Sequence, residues 1–169
     1  KPFEPAHMPR PSSLSGRTVE IYDPSAGTWS TGVPMSTSRG FHTATLLGDG
    51  RVLVAGGDDV LATFSSAEVY TPSAGAWTNV GSMSVPRSLH TATRLQDGRV
   101  LAAGGYSSLG GMDSAELFDP ATGNWSAAPN LAVPRLAHEA VALPDGRVLL
   151  IAGQNASDAL KSAEIYTPN

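Results

Sequence analysis

The chain has 169 residues, of which 41% are hydrophobic and 15% charged, with 18 Gly, 13 Pro and no Cys. That much Gly and Pro leaves little room for long helices, while the apolar fraction is too high for a disordered chain, so many short strands are expected. A formal net charge of −4 offers no basic field to nucleic acid or an anionic membrane, and the absence of thiols excludes disulfides, thiol catalysis and thiolate metal ligation.

In chain order, the first ten residues are polar and Pro-rich and hold no signal peptide, though one could have been removed; residues 1–16 lack the repeat's strand signals and are expected to form an irregular arm or remnant. No apolar run approaches the ~18 residues of a membrane-spanning helix. The compartment stays open, with an extracellular or periplasmic setting favoured. From residue 17 the sequence repeats itself. Trp29, Trp77 and Trp125 stand 48 residues apart, and Asp49-Gly50-Arg51-Val52-Leu53 recurs from Asp97 and from Asp145 at the same step. Gly56-Gly57 returns as Gly104-Gly105 and then as Ala152-Gly153. Glu20, Glu68, Glu116 and Glu164 each precede an aromatic by two residues, at Tyr22, Tyr70, Phe118 and Tyr166. Arg39, Arg87 and Arg135 keep the register, as do His42, His90 and His138.

Each period predicts four strands. The first is Phe41 to Leu47, with His42, Ala44 and Leu46 on its inner face, where small residues suit crowded sheets. An Asp-Gly turn, which tolerates positive φ, leads into the second, Arg51 to Ala55, an apolar run suited to a strand covered on both faces. Gly56-Gly57 ends it, and a loop leads to the third, Ala67 to Thr71, with Glu68 and Tyr70 on one face and Ala67 and Val69 on the other. The Pro72-Ser73-Ala74-Gly75 turn opens the fourth strand at Trp77.

Four antiparallel strands in about 50 residues, with a Gly pair, an aromatic and a Trp at fixed offsets, make a propeller-blade pattern. On Arg39 to His42, Gly56-Gly57, Glu68-Val69-Tyr70 and Trp77, with two further copies, the chain resembles the kelch repeat. The stretch Arg51 to Gly57 is similar to bacterial members of that superfamily and to the propellers of galactose-oxidase-type proteins. The expected fold is therefore all-β: kelch-type β-propeller blades, each a four-stranded antiparallel sheet, about three and a half per chain. A partial blade over 17–33, blades over 34–82 and 83–130, and a partial blade over 131–169 would make up the propeller segment 17–169. Such a count closes no ring. It fits a partial propeller cut from a longer one, which is favoured, or half of an oligomeric ring. Two copies hold close to seven periods of 48, yet a two-fold axis along the ring needs an even blade number, six or eight.

Residues repeated in every blade are expected to do structural work. Arg39, Arg87 and Arg135 should pair with Glu68, Glu116 and Glu164 in ion pairs that lock blade to blade, a task suited to the planar guanidinium. His42, His90 and His138 should bond a neighbouring blade rather than a metal, and Trp29, Trp77 and Trp125 should pack between blades. Asp49-Gly50 and its copies lack the further acids of a calcium loop. Binding is expected where the copies disagree, in the equal-length loops after the second strand. The resemblance implies that these loops share a face with the turns before the first strand, where partners dock. Asp58, Asp59, Phe64, Tyr106, Met112 and Asn155 are the contact candidates.

Catalytic patterns are not found. Without Cys the chain cannot build the Cys-linked Tyr of the copper site that the galactose-oxidase resemblance implies, and Asp23, Gly27 and Trp29 have the wrong spacing for a sialidase-type Asp-box. The reading is a non-catalytic scaffold for a protein or glycan ligand, without cofactor or metal. Two alternatives stand beside it: a segment of a propeller enzyme or sugar-binding protein whose active residues lie on other blades, or a structural spacer.

Overall fold

The computed structural model describes residues 16–59 and 61–168. The arm expected over 1–16 thus lies, except for Gly16, outside the described residues. All regular structure among them is β, in four blade sheets and one small hairpin. The first sheet pairs β1 (Glu20–Asp23) with β2 (Thr28–Thr31). The second runs in the order β3 (Thr43–Leu46), β4 (Val52–Ala55), β5 (Ala67–Thr71), β6 (Ala76–Val80). Between the second and third strands of the next repeat, β9 (Tyr106–Ser107) and β10 (Gly110–Gly111) form a two-residue hairpin that the sequence did not announce. The third sheet holds β7 (Thr91–Arg94), β8 (Val100–Ala103), β11 (Ala115–Asp119) and β12 (Asn124–Ala128). In the fourth, β13 (Glu139–Ala142), β14 (Val148–Ile151) and β15 (Ala163–Tyr166) lie side by side.

The same local chemistry sets the register in each copy. Leu47 N–H donates to the Arg51 carbonyl at 2.8 Å across a turn in which Gly50 adopts φ 86°, and the Asp49 carboxylate accepts Arg51 N–H at 3.1 Å. Val52 then faces Tyr70, Val100 faces Phe118, and Val148 faces Tyr166. Tyr70 lies opposite Trp77 with their rings 5.1 Å apart, repeated at 5.2 Å by Phe118 and Trp125. A tilted aromatic pair of this kind adds to the area it buries.

The core lies between sheets. Leu47, Leu53 and Val69 of the second sheet's repeat pack on Val100, Ala102 and Phe118 of the third. Leu101, Ala103 and Leu117 likewise meet Val148 and Leu150 of the fourth. Each Leu or Val buried in this way contributes roughly 1.5–3 kcal/mol.

One sequence expectation is overturned. The first strand's inner face is not His42, Ala44 and Leu46: Leu46 is 62% exposed and Ala44 is exposed, while Thr45 and Leu47 are buried. Apolar periodicity gives the wrong parity here because this strand meets the following blade through threonines. Thr45 Oγ1 donates to the Ala92 carbonyl at 3.4 Å, and Thr43 Oγ1 bonds His90. The alanines point to the preceding blade, where Ala92 and Ala140 do pack on the core.

Candidate functional site

The innermost strands β3, β7 and β13 lie next to one another, so the segment entering each of them sits near the centre of the array. That segment is fixed by its arginine. Arg39 Nη1 donates to the Gly56 carbonyl at 2.7 Å and the Ser66 carbonyl at 3.1 Å, and Nη2 reaches Glu68 Oε1 at 2.9 Å. Glu68 Oε2 accepts Ser36 N–H at 2.8 Å. Arg87 with Glu116 and Arg135 with Glu164 repeat the arrangement at 2.9 and 2.6 Å, and all three arginine side chains are fully buried. Burial alone would push the Glu68 carboxyl up, but the Ser36 and Arg39 hydrogen bonds outweigh it and hold it below its ordinary value. Both partners of each pair belong to one repeat. The ion pairs therefore tie an incoming segment to its own sheet, not blade to blade as expected, because the arginine turns back over the second and third strands that follow it.

Other groups join the blades. Gly57 N–H donates to the Arg87 carbonyl at 2.9 Å, and Gly105 N–H to that of Arg135 at 2.8 Å. Gly56 is held at φ 63°, where a Cβ would overlap the Arg87 carbonyl. His90 Nε2 lies 3.0 Å from Thr43 Oγ1 of the preceding blade and His138 Nε2 lies 2.9 Å from Thr91 Oγ1, while His42 Nδ1 bonds the Arg39 carbonyl at 3.1 Å. Burial, with the Arg87 charge and the other histidines, lowers His90 to about 3, and burial with Arg135 lowers His138 to about 4. These imidazoles are neutral spacers at neutral pH. Trp77 and Trp125 donate their indole N–H to the Val33 and Gly81 carbonyls at 2.8 and 2.9 Å, whereas Trp29 is 67% exposed on the first sheet. Among the described residues no group of three or more His, Asp or Glu is arranged to hold a metal ion.

The variable loops gather at one end of the sheets. Bridges Gly40 to Asp58, Ser88 to Tyr106 and Leu136 to Gln154 place each loop beside the segment entering the innermost strand. Next to those bridges stand Phe41, Leu89 and Ala137, with φ of 51°, 54° and 49°. Leu89 N–H donates to the Phe41 carbonyl at 3.1 Å and Ala137 N–H to the Leu89 carbonyl at 2.9 Å, so backbone hydrogen bonds run from blade to blade there.

The six expected contacts separate into three kinds. Asp59 Oδ1 accepts Leu61 and Ala62 N–H at 2.7 and 2.8 Å, and Asn155 Oδ1 accepts Ser157 and Asp158 N–H at 2.9 Å each. Ser107 Oγ does the same for Leu109 N–H at 3.2 Å, so this position staples its own loop in every copy. Phe64 and Met112 are the return points of their loops. Their N–H groups donate to the Gly57 and Gly105 carbonyls, and their carbonyls accept Arg87 and Arg135 N–H. Met112 is 9% exposed and Phe64 stacks 5.6 Å from the Arg39 guanidinium carbon. Met112 is thus no surface contact, because the returning loop turns this side chain under itself. Asp58 and Tyr106 remain, half-buried on the bridging position, with Gln154 as a third member that sequence reasoning passed over. It also passed over Phe41, Leu89, Ala137 and the loop-tip residues Leu61 and Leu109, which are 89% and 94% exposed. Aligning the copies at the 48-residue step shows the variability of all these positions; the left-handed backbone has no such signal.

No curated protein matches the chain. A family model described as the kelch motif matches residues 39–84 and 86–132. The two matches span more than half of the chain and coincide with the second and third sheets, whose buried Arg–Glu pair, Gly pair and aromatic–Trp pair recur in register. The chain is an all-β partial propeller with open sheets, and it belongs to the kelch-motif family.

Proposed function

We propose that the chain is a binding scaffold that engages a protein partner through the loop end of its blades. The observation that carries this reading is the contrast between the two ends of the sheets. At one end every copy spells the same Asp-Gly-Arg turn, with Arg Nε to Asp Oδ2 distances of 2.8, 2.7 and 2.8 Å. At the other end the loops keep one backbone framework and present different side chains: Asp58, Tyr106 and Gln154 at the bridge, Leu61, Leu109 and Ser157 at the tip. A framework stapled by Asp59, Ser107 and Asn155 loses little freedom on binding, which favours affinity. Membership of the kelch family supports a protein as the partner class.

The test screens the chain against a displayed random-peptide library and a glycan array. Peptide binders should emerge and weaken about tenfold on Asp58→Ala or Tyr106→Ala. Asp49→Ala at the opposite end should leave them unchanged. Glycan binders alone would replace the partner class, and binders that respond only to the Asp49 end, or none, would overturn the reading.

A further inference from the structure

We infer that Phe41, Leu89 and Ala137 are specificity-determining contact residues, and that the protein segment they receive is apolar with a cationic flank. The inference rests on the loop-end reading above. Among the described residues four non-glycine residues have left-handed φ, and three of them stand at this one repeat position. Glycine takes that conformation without steric cost, and among the described residues it occupies twelve further left-handed positions. Here it keeps three different side chains despite the strain, and strain retained in this way accompanies contact sites.

The fold has no evident use for these side chains. None belongs to either core cluster; Phe41 is 46% exposed, Ala137 is exposed and Leu89 half-buried. The backbone hydrogen bonds that link them need no side chain. They do border the bridging residues Asp58, Tyr106 and Gln154, one residue away through the Gly40, Ser88 and Leu136 bridges. The result is a graded apolar row, Phe to Leu to Ala, edged by polar groups.

Charge selects the flank. Loops 56–66, 104–114 and 152–162 carry Asp58, Asp59, Asp113 and Asp158 against the single cation Lys161. The nearby Arg39, Arg87 and Arg135 side chains are fully buried and paired with carboxylates. By composition these loops are acidic, a balance that favours Lys or Arg beside the apolar anchor.

Phe41→Gly and Leu89→Gly test this, since glycine keeps the backbone and removes only the side chain. Their melting temperatures should stay within about 3 °C of the parent chain. Peptides selected on the parent from a displayed random library should pair large apolar residues with Lys or Arg, and either substitution should weaken them about tenfold or more. A clearly lower melting temperature would assign the side chains to the fold and overturn the inference. So would selection of acidic peptides, or unchanged binding to the glycine variants while Asp58→Ala still weakens it; in that last case the loop-end reading survives. If the glycine variants and Asp58→Ala all leave binding unchanged, or no peptide is selected, the loop-end reading fails and the inference falls with it.

Discussion

His90 Nε2 sits 3.0 Å from the Thr43 hydroxyl of the preceding blade, in a site where the residue is 6% exposed and its Nδ1 has no hydrogen-bond partner. Such a ring is held neutral by its surroundings, and His138 against Thr91 repeats the contact one blade later.

Acid should therefore loosen the blade contacts through these histidines. Folded values of about 3 for His90 and about 4 for His138 lie below the ordinary 6.5. Between those limits the unfolded chain binds more protons, so the stabilisation is complete above pH 6.5 and is lost as pH falls. The expected slope is on the order of 1 kcal/mol per pH unit for each histidine. Urea unfolding at pH 7, 6 and 5 should show the decline, and His90→Gln should flatten it. A midpoint constant from pH 7 to 5 would contradict the argument.

The buried and exposed ion pairs should behave differently. Arg87→Ala strands Glu116 in a nearly dry site and should cost about 3–5 kcal/mol. Arg147→Ala removes a pair whose side chains are 44% and 50% exposed and should cost less than about 1 kcal/mol. Denaturant titration of the two variants gives the comparison directly, and equal losses would show that the buried network is not the anchor.

Gly56 and Ala152 occupy the same repeat position with opposite consequences. Gly56→Ala drives a Cβ into the Arg87 carbonyl and should destabilise by more than about 1 kcal/mol. Ala152 already carries a Cβ at φ 55°, so Ala152→Gly relieves strain and should leave the melting temperature unchanged or raised. A loss at Ala152→Gly as large as that at Gly56→Ala would refute the distinction.

Removing the loop staple should act locally. Asp59→Ala frees the Leu61 and Ala62 amides, and their hydrogen exchange should accelerate while global stability changes by about 1 kcal/mol or less. Unaltered exchange at both amides would mean that the Asx turn does not hold the loop.

The repeat made the strands legible. A step of 48 residues carries the Asp-Gly turns, the Gly pairs and the aromatic–Trp pairs, and each acts through local chemistry that a single copy reveals. The parity of β3 was not legible, because half-buried Thr43 and buried Thr45 face the following blade through hydrogen bonds, and apolar periodicity does not record that. Asp59, Ser107 and Asn155 looked like three different surface residues but share one task, since each offers an oxygen to the amide two residues on. The strain at Phe41 and Leu89 lies in the backbone dihedrals, which residue type at those positions does not signal.

The placement of the two hydrophobic clusters has a further consequence. Each is assembled from two neighbouring sheets, so a lone sheet would have no interior at all. The smallest cooperative element is the junction, and lengthening such an array by one period of 48 residues adds one junction without disturbing those already made. Side chains at the loop end stand outside that accounting. They are free to diverge from copy to copy while the junctions hold the copies alike.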